Sequence, residues 1–361
     1  MKLISVEAQI LDIPFSDGGA GEGLTPTPWR SLEIVLIRVE TDTGLVGWGE
    51  AFGYFCSKAV KSVIDRMIVP AMTGQKFTDP ATMITALQRK LVLFGRYGIT
   101  MFAISGVDIA LWDIAAKAKQ KTLADYIGGI GRNRIPTYAS LVRYGDAGAV
   151  RSFTERALED GYATLKLHEI TMPEIEASRE VAQEVGFIVD VNCNWSIEDT
   201  RAFLPPLRDL GTMWLEEPIF PPEDFAGLAS LAGTVPLAAG ENLCTAYQFS
   251  AMQAAGAVTF PQPSITKVGG VTEFLKIADA ADQAGQQLMP HSPYFGPGYF
   301  ATLQIAAARE CIALFEYLYV WPDAFPGLNQ PLPRQGYIAP PDGPGIGFSP
   351  DPEILTRYRV A

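Results

Sequence analysis

The sequence predicts an α/β fold, a (β/α)8 TIM-type barrel, and three observations carry that prediction. From about residue 134 onward, eight short apolar segments recur about 20 to 30 residues apart, the length of one strand–helix unit. A stretch with apolar residues at helical spacing follows nearly every one of them. Charged and polar residues gather at the C-terminal ends of the segments, where barrels of this kind carry their chemistry.

The chain ahead of the barrel reads differently. Residues 2–14 and 32–40 alternate apolar and polar like strands, and Thr41-Asp42-Thr43-Gly44 supplies a turn into a third, Leu45–Ala51. Helical patterns follow over roughly 57–72, 78–94 and 100–127. Within the last of these, Ser105–Lys117 predicts a buried helix with no chemistry of its own. The barrel segments are Ile135–Leu141, Tyr162–His168, Phe187–Asn192, Met213–Pro218, Leu237–Asn242, Val258–Pro263, Gln287–Ser292 and Ile312–Leu318. After the eighth, Pro322, Pro326, Pro331 and Pro333 break up any helix. The run from Pro340 to Gly347 predicts a loop that returns to the first domain. The expected divisions are therefore 1–128, 129–335 and a tail, 336–361.

Composition narrows the function. With 361 residues, 48% hydrophobic and 19% charged, the chain can bury a large core and is not a disordered protein. A net charge of −12 argues against nucleic acid or an anionic membrane as partner, so an acidic ligand needs a local cation. Cys56, Cys193, Cys244 and Cys311 form no CxxC pair, which predicts reduced thiols rather than a zinc site or a disulfide framework. Glu7 interrupts what would be a signal peptide, and no unbroken run of about 18 apolar residues occurs. The expectation is a soluble, cytoplasmic protein without a membrane span.

The strand ends carry the candidate chemistry. Segment two ends in Lys166-Leu167-His168, whose alternation points Lys166 and His168 to one side. Segments three, four and five end in Asp190-Val191-Asn192, Glu216-Glu217-Pro218 and Gly240-Glu241-Asn242. One acid after a strand is usually a helix cap or a solvated charge; three in successive units predict a shared cation, and oxygen-only ligands suit Mg2+. Segment seven ends in Pro290-His291-Ser292, and segment eight carries Glu316. The only two histidines, His168 and His291, both fall at strand ends. Lys267, after segment six, has the plain alternative of pairing with a nearby acid.

In this order the residues resemble the mandelate racemase and muconate lactonizing enzyme family of the enolase superfamily. The likeness runs nearly end to end: Gly47-Trp48-Gly49-Glu50-Ala51, the Ser105–Lys117 helix, Lys166-x-His168, Asp190-x-Asn192, Trp214-Leu215-Glu216-Glu217-Pro218, Gly240-Glu241-Asn242, Gln262-Pro263 with Lys267-Val268-Gly269-Gly270, Pro290-His291-Ser292 and Pro341-Asp342-Gly343-Pro344-Gly345. The resemblance implies an α+β capping domain, built from the N-terminal region and the C-terminal tail, over the barrel mouth. It implies that Asp190, Glu216 and Glu241 bind Mg2+ and that the adjacent Glu217 stands behind them. It implies a small carboxylate substrate whose α-proton is removed to give an enediolate stabilised by the metal. Lys166 would orient or tune His168, Glu316 would hydrogen-bond the substrate carboxylate, and Asn192 would lie near the substrate. A homo-oligomer is expected by the same analogy.

Two positions depart from the family pattern. His168 stands where lysine is usual, and a histidine base is compatible with its intrinsic chemistry. Ser264 stands where the family often has the Asp partner of the strand-seven histidine, so His291 is expected to lack that partner. Such asymmetry favours β-elimination over racemisation: His168 or Lys166 takes the α-proton, and His291 protonates a leaving hydroxyl. The expected activity is an acid-sugar dehydratase giving a 2-keto-3-deoxy acid, with an epimerase or cycloisomerase as alternative and a non-catalytic carboxylate-binding relative as another. Ser16–Trp29 predicts a mobile loop over the site, and Tyr54, Phe55, Arg143 and Tyr144 are either substrate contacts or ordinary packing.

Overall fold

The structure, a computed structural model, describes residues 1–19, 28–129 and 131–360. Alternation of apolar residues sets its first sheet: Leu3–Ser16 and Ser31–Thr41 each bury one face and pair antiparallel along most of their length. Gly44, at φ +80°, makes the turn into Val46–Ala51, which pairs with the second strand. Two late pieces of chain join this sheet, Trp321–Pro322 beside Phe15–Ser16 and Arg359–Val360 beside Ile10–Leu11. Most of the expected mobile loop, Ala20–Thr27, lies outside the described residues.

The helix Gly98–Ala118 packs on the third strand, and glycines permit the close approach. A Cβ on Gly49 would lie 1.9 Å from the Gly106 carbonyl oxygen, which gives Gly47-Trp48-Gly49 a packing reason. The helix stops short of the expected 127 because Gln120 takes a left-handed φ of +53°, and Thr122 caps a separate turn, Leu123–Tyr126. By length and mean hydropathy, 1.6, this helix is apolar enough to cross a membrane, although Asp108 and Asp113 interrupt its apolar run. Its most apolar stretch is nevertheless 89% buried in this fold, as befits a core helix.

The second sheet is the barrel. Ile135–Ser140, Thr164–Leu167, Gly186–Asp190, Trp214–Glu216, Leu237–Ala239 and Phe260–Pro261 pair in parallel, each with the next, and Phe315–Leu318 pairs with the first. Segment seven forms a single bridge, Leu288 to Ile312, rather than a full strand. Pro290 and Pro293 remove the N–H groups a longer ladder needs. The ring still closes there: Met289 N donates to Pro261 O (3.1 Å) and Leu288 N to Cys311 O (2.7 Å). After the eighth strand the proline-broken chain crosses to the first sheet instead of forming a barrel helix. Tyr337–Ile338 then pairs with the first barrel strand before the tail reaches the first sheet.

Buried acids of the capping domain fasten it to the N-termini of two barrel helices. Asp108 accepts bonds from the Thr272 N–H (2.9 Å) and hydroxyl, and Ser105 Oγ accepts the Gly269 N–H (2.8 Å), at the start of Gly270–Ala284. Glu50 accepts the Gly298 N–H (2.8 Å) at the start of Pro297–Ala308. Orphan N–H groups and the helix dipole both favour a carboxylate there. Burial acts the other way, pushing Asp108 up to about 7 and Glu50 up to about 8.

Asp108→Ala is expected to cost about 1–3 kcal/mol, read as a lower urea midpoint at unchanged m-value. The folded protein holds a proton on Glu50 that the unfolded chain releases, so this group's contribution to stability falls as pH rises from the ordinary 4.5 towards about 8. Glu50→Gln should flatten that part of the stability–pH profile in urea titrations, and an unchanged slope would contradict the assignment.

Candidate active site

The barrel strands end abruptly, and the ends aim their side chains inward. Asn192, Cys193 and Glu217 adopt φ of +43°, +60° and +42°, left-handed values that bulkier L-residues avoid and that cluster where a fold serves a site. Cys193 N donates to Glu217 O (2.6 Å), tying the ends of strands three and four together.

Lys166 is the hub. Its fully buried ammonium lies 2.7 Å from Glu216 Oε1, 2.9 Å from Glu316 Oε1 and 3.2 Å from Asp190 Oδ2. Burial alone would lower its pKa, but Glu216, Glu316 and Asp190 together raise it well above the ordinary lysine value. Lys166 is therefore a fixed charge. Glu316 is held on both oxygens, by Lys166 and Ser140 Oγ (2.8 Å) on one and by Ser292 N (2.8 Å) on the other. Burial opposes its ionisation, yet Lys166 and His291 keep its carboxyl below the ordinary range. Both oxygens of Glu316 are thus already engaged as acceptors within the protein.

Asp190, Glu216 and Glu241 present oxygens that all lie within 4.8 Å of one another. Burial raises Glu216 well above the ordinary range, a sign that one lysine does not neutralise the group. Against burial, Lys166 and His168 hold Asp190 down at about 2, while His291 and Lys267 hold Glu241 low. Three converging hard oxygens with excess negative charge fit a divalent cation. Glu217 faces elsewhere: Gly240 N donates to one oxygen (2.8 Å) and Cys193 Sγ to the other (3.3 Å), and burial with the nearby Glu241 pushes it up to about 7.

The histidines flank this arc of acids. His168 Nδ1 lies 2.5 Å from the Leu141 carbonyl, which can only accept, so Nδ1 carries a proton and Nε2 is the exchanging nitrogen. That Nε2 is 3.3 Å from Asp190 Oδ2, an oxygen Lys166 already shares. At the other end, His291 Nε2 is 2.8 Å from Glu241 Oε2. No Asp stands beside His291 Nδ1, but the nitrogen is not unpaired. Tyr294 OH lies 3.4 Å from Nδ1 and 2.5 Å from Ser264 Oγ, so a buried hydroxyl pair occupies the place expected for Asp. Sequence reading missed Tyr294, although a hydroxyl three residues beyond His291 was there to be weighed.

A cavity of about 670 Å3 opens over these groups. Asn192, Glu241, Lys267 and His291 line it, as do Tyr54 and Phe55. Asn192 N also donates to Asp190 Oδ1 (2.9 Å), and Lys267 Nζ donates to Asn242 Oδ1 (3.1 Å) rather than pairing with an acid. Tyr144 is packing: it stacks on Phe153 at 4.4 Å, outside the cavity, and Arg143 does not line the cavity either.

Comparison with known proteins agrees with this fold. Residues 26–128 match the mandelate racemase / muconate lactonizing enzyme N-terminal domain family, and residues 149–354 match the enolase C-terminal domain-like family. D-xylonate dehydratase of Haloferax volcanii is 30% identical over 365 residues, 92% of this chain and 86% of that protein. D-galactarolactone cycloisomerase of Agrobacterium fabrum is 28% identical over 366 residues, 92% of this chain and 95% of that protein. The crystal structure of an enolase superfamily member from Polaromonas sp. JS666 superposes with a TM-score of 0.88 at 31% identity, covering 100% of this chain and 98% of that one.

If lysine and cation share the same carboxylates, Lys166→Met should lose about 3–5 kcal/mol in EDTA, because buried acids are left unpaired. Added Mg2+ should then raise the Tm of the variant more than that of the parent. Equal gains would mean that the ion binds elsewhere.

Proposed function

Because the chain belongs to the mandelate racemase / muconate lactonizing enzyme family of the enolase superfamily, whose relatives here are lyases and isomerases, we propose that it dehydrates a 2,3-dihydroxy acid, the head group of an acid sugar, to a 2-keto-3-deoxy acid. The unequal pairing of the two histidines carries this reading. His168 Nε2 faces, at 3.3 Å, an Asp190 oxygen that Lys166 also holds, so it is the more loosely paired ring and the one placed to receive the α-proton. His291 Nε2 sits closer to its carboxylate, 2.8 Å from Glu241, and has a hydroxyl at its other nitrogen, so both ring nitrogens are engaged and the ring is fixed in place on the opposite side as the donor.

Asp190, Glu216 and Glu241 would hold Mg2+, which when bound supplies positive charge for the substrate carboxylate and for the charge that develops as the α-proton leaves. His168 Nε2 accepts that proton, and Lys166 contributes a fixed charge beside it rather than acting as base. The electron pair moves into a Cα–Cβ double bond, the β-carbon–oxygen bond breaks, and His291 Nε2 protonates the departing hydroxyl to water. The resulting enol becomes the 2-keto acid. Glu316, Ser140 and Ser292 keep Lys166 in register for this chemistry. Cycloisomerisation is the second reading, since a proton from His291 delivered to carbon instead of oxygen serves it equally.

Proton NMR in D2O with Mg2+ and a panel of 2,3-dihydroxy acids tests this. The expected result is loss of the α-proton signal with a new methylene beside a ketone. His168→Gln should slow all exchange by about 100- to 10,000-fold. His291→Gln should keep α-deuterium exchange while losing the ketone product. Deuterium at Cα in the parent protein without loss of hydroxyl would replace the dehydratase by an isomerase.

A further inference from the structure

The cavity over the site has two unlike walls. Its barrel side is polar, with Glu241, Asn242, Lys267 and His291. Its capping side, among the described residues, is aromatic: Trp29, Phe52, Tyr54, Phe55, Tyr97 and Phe102. These rings pack on one another, Trp29 on Tyr54 at 4.9 Å, Phe52 on Tyr54 at 5.3 Å and Phe52 on Phe102 at 5.1 Å between centroids.

Two polar handles of that wall, on Tyr54 and Trp29, are already engaged. The Tyr54 hydroxyl donates to Pro293 O (2.6 Å), and the Trp29 indole N–H donates to Ser31 O (2.8 Å). Lys267, below the wall, donates to Asn242 and lies 4.9 Å from the Phe52 ring centre. Tyr97 stands at the exposed rim.

Phe55 is the second observation. A bulky residue at φ +60° is a backbone outlier, and this one is also 55% exposed at the cavity mouth. Glu33 maintains the conformation by accepting the Phe55 N–H (2.6 Å) and the Ser57 hydroxyl (2.8 Å). A phenyl ring held in a strained backbone and in water is placed for contact with something apolar.

We propose that the substrate is apolar beyond its third carbon, carrying an aryl or branched alkyl tail instead of the hydroxylated chain of a sugar acid. This rests on the head-group reading above. Each hydroxyl of a sugar tail stripped of water needs a partner, and among the described residues the capping wall offers few free ones. A flat or branched hydrocarbon needs none and is favoured by contact with the rings.

Calorimetric titration with Mg2+ present, comparing 2,3-dihydroxy-3-phenylpropanoate and its 3-isobutyl analogue with pentonates and hexonates, tests the tail. The apolar series should bind at least about tenfold tighter. Equal or tighter binding of the aldonates, or no binding of the apolar series, overturns the inference. Phe55→Asn keeps a residue that accepts a left-handed backbone, and should shrink the preference about tenfold; an unchanged ratio would remove Phe55 from the proposal. Turnover of the same compounds, followed by NMR, separates the two readings. Tight apolar binding without turnover of either series would sink the dehydration and leave the tail. Dehydration confined to aldonates that also bind tighter would do the reverse.

Discussion

One buried ammonium organises this protein's centre. Lys166 sits with no solvent exposure among Asp190, Glu216 and Glu316, three carboxylates delivered by three different strands. Removing such charges from water is costly unless they find partners, and one positive charge cannot satisfy three negative ones. The deficit has visible consequences. Glu216 is pushed up by burial, the histidines attach to the two ends of the acid arc, and the arc converges on a point where a cation fits. The strained turns at Asn192, Cys193 and Glu217 are tolerated because the pairing holds the strand ends in place.

The capping domain is fastened by a related device. Asp108 and Glu50 place carboxylates at the starts of two barrel helices, where the helix needs acceptors and burial resists charge. The second attachment reaches the chemistry. Glu50 begins the short stretch that continues through Phe52, whose N–H donates to Thr266 O, and Tyr54, whose hydroxyl donates to Pro293 O two residues from His291. The aromatic wall is thus tied to the same loops that carry Lys267 and the strand-seven histidine. These bonds join wall and floor around one cavity.

Much of this was legible in the sequence because it depends on periodicity. Strand ends can be counted, so the acids at 190, 216 and 241 and the histidines at 168 and 291 could be placed on one rim. The helix Ser105–Lys117 was read as buried, but its Asp108 and Ser105 were not seen as fasteners, since their partners lie 164 residues away. The truncated seventh strand follows from Pro290 and Pro293, a local rule outweighed by the eightfold rhythm. The hydrogen bond from His168 Nδ1 to a main-chain carbonyl carries no side-chain signature at all. Nor could the aromatic wall be assembled from residues spread between Trp29 and Phe102 without the fold that stacks them.

Tyr294 shows how the departures from the family pattern fit together. An aspartate at position 264 would have oriented His291, but it would have added a carboxylate to a region that already buries Asp190, Glu216, Glu217 and Glu316 beside the half-buried Glu241. The Ser264–Tyr294 hydroxyl pair supplies orientation without charge. A hydroxyl can accept from the Nδ1 proton whether or not Nε2 is protonated, so His291 can release a proton without repacking its neighbour. The same Tyr294 ring lies 6.2 Å from Tyr54 and 6.5 Å from Phe52, so this orienting group is also part of the aromatic packing beneath the wall. An uncharged partner for His291 and an aromatic roof gather the charges of the chamber around the carboxylate arc and leave its remainder to hydrophobic contact.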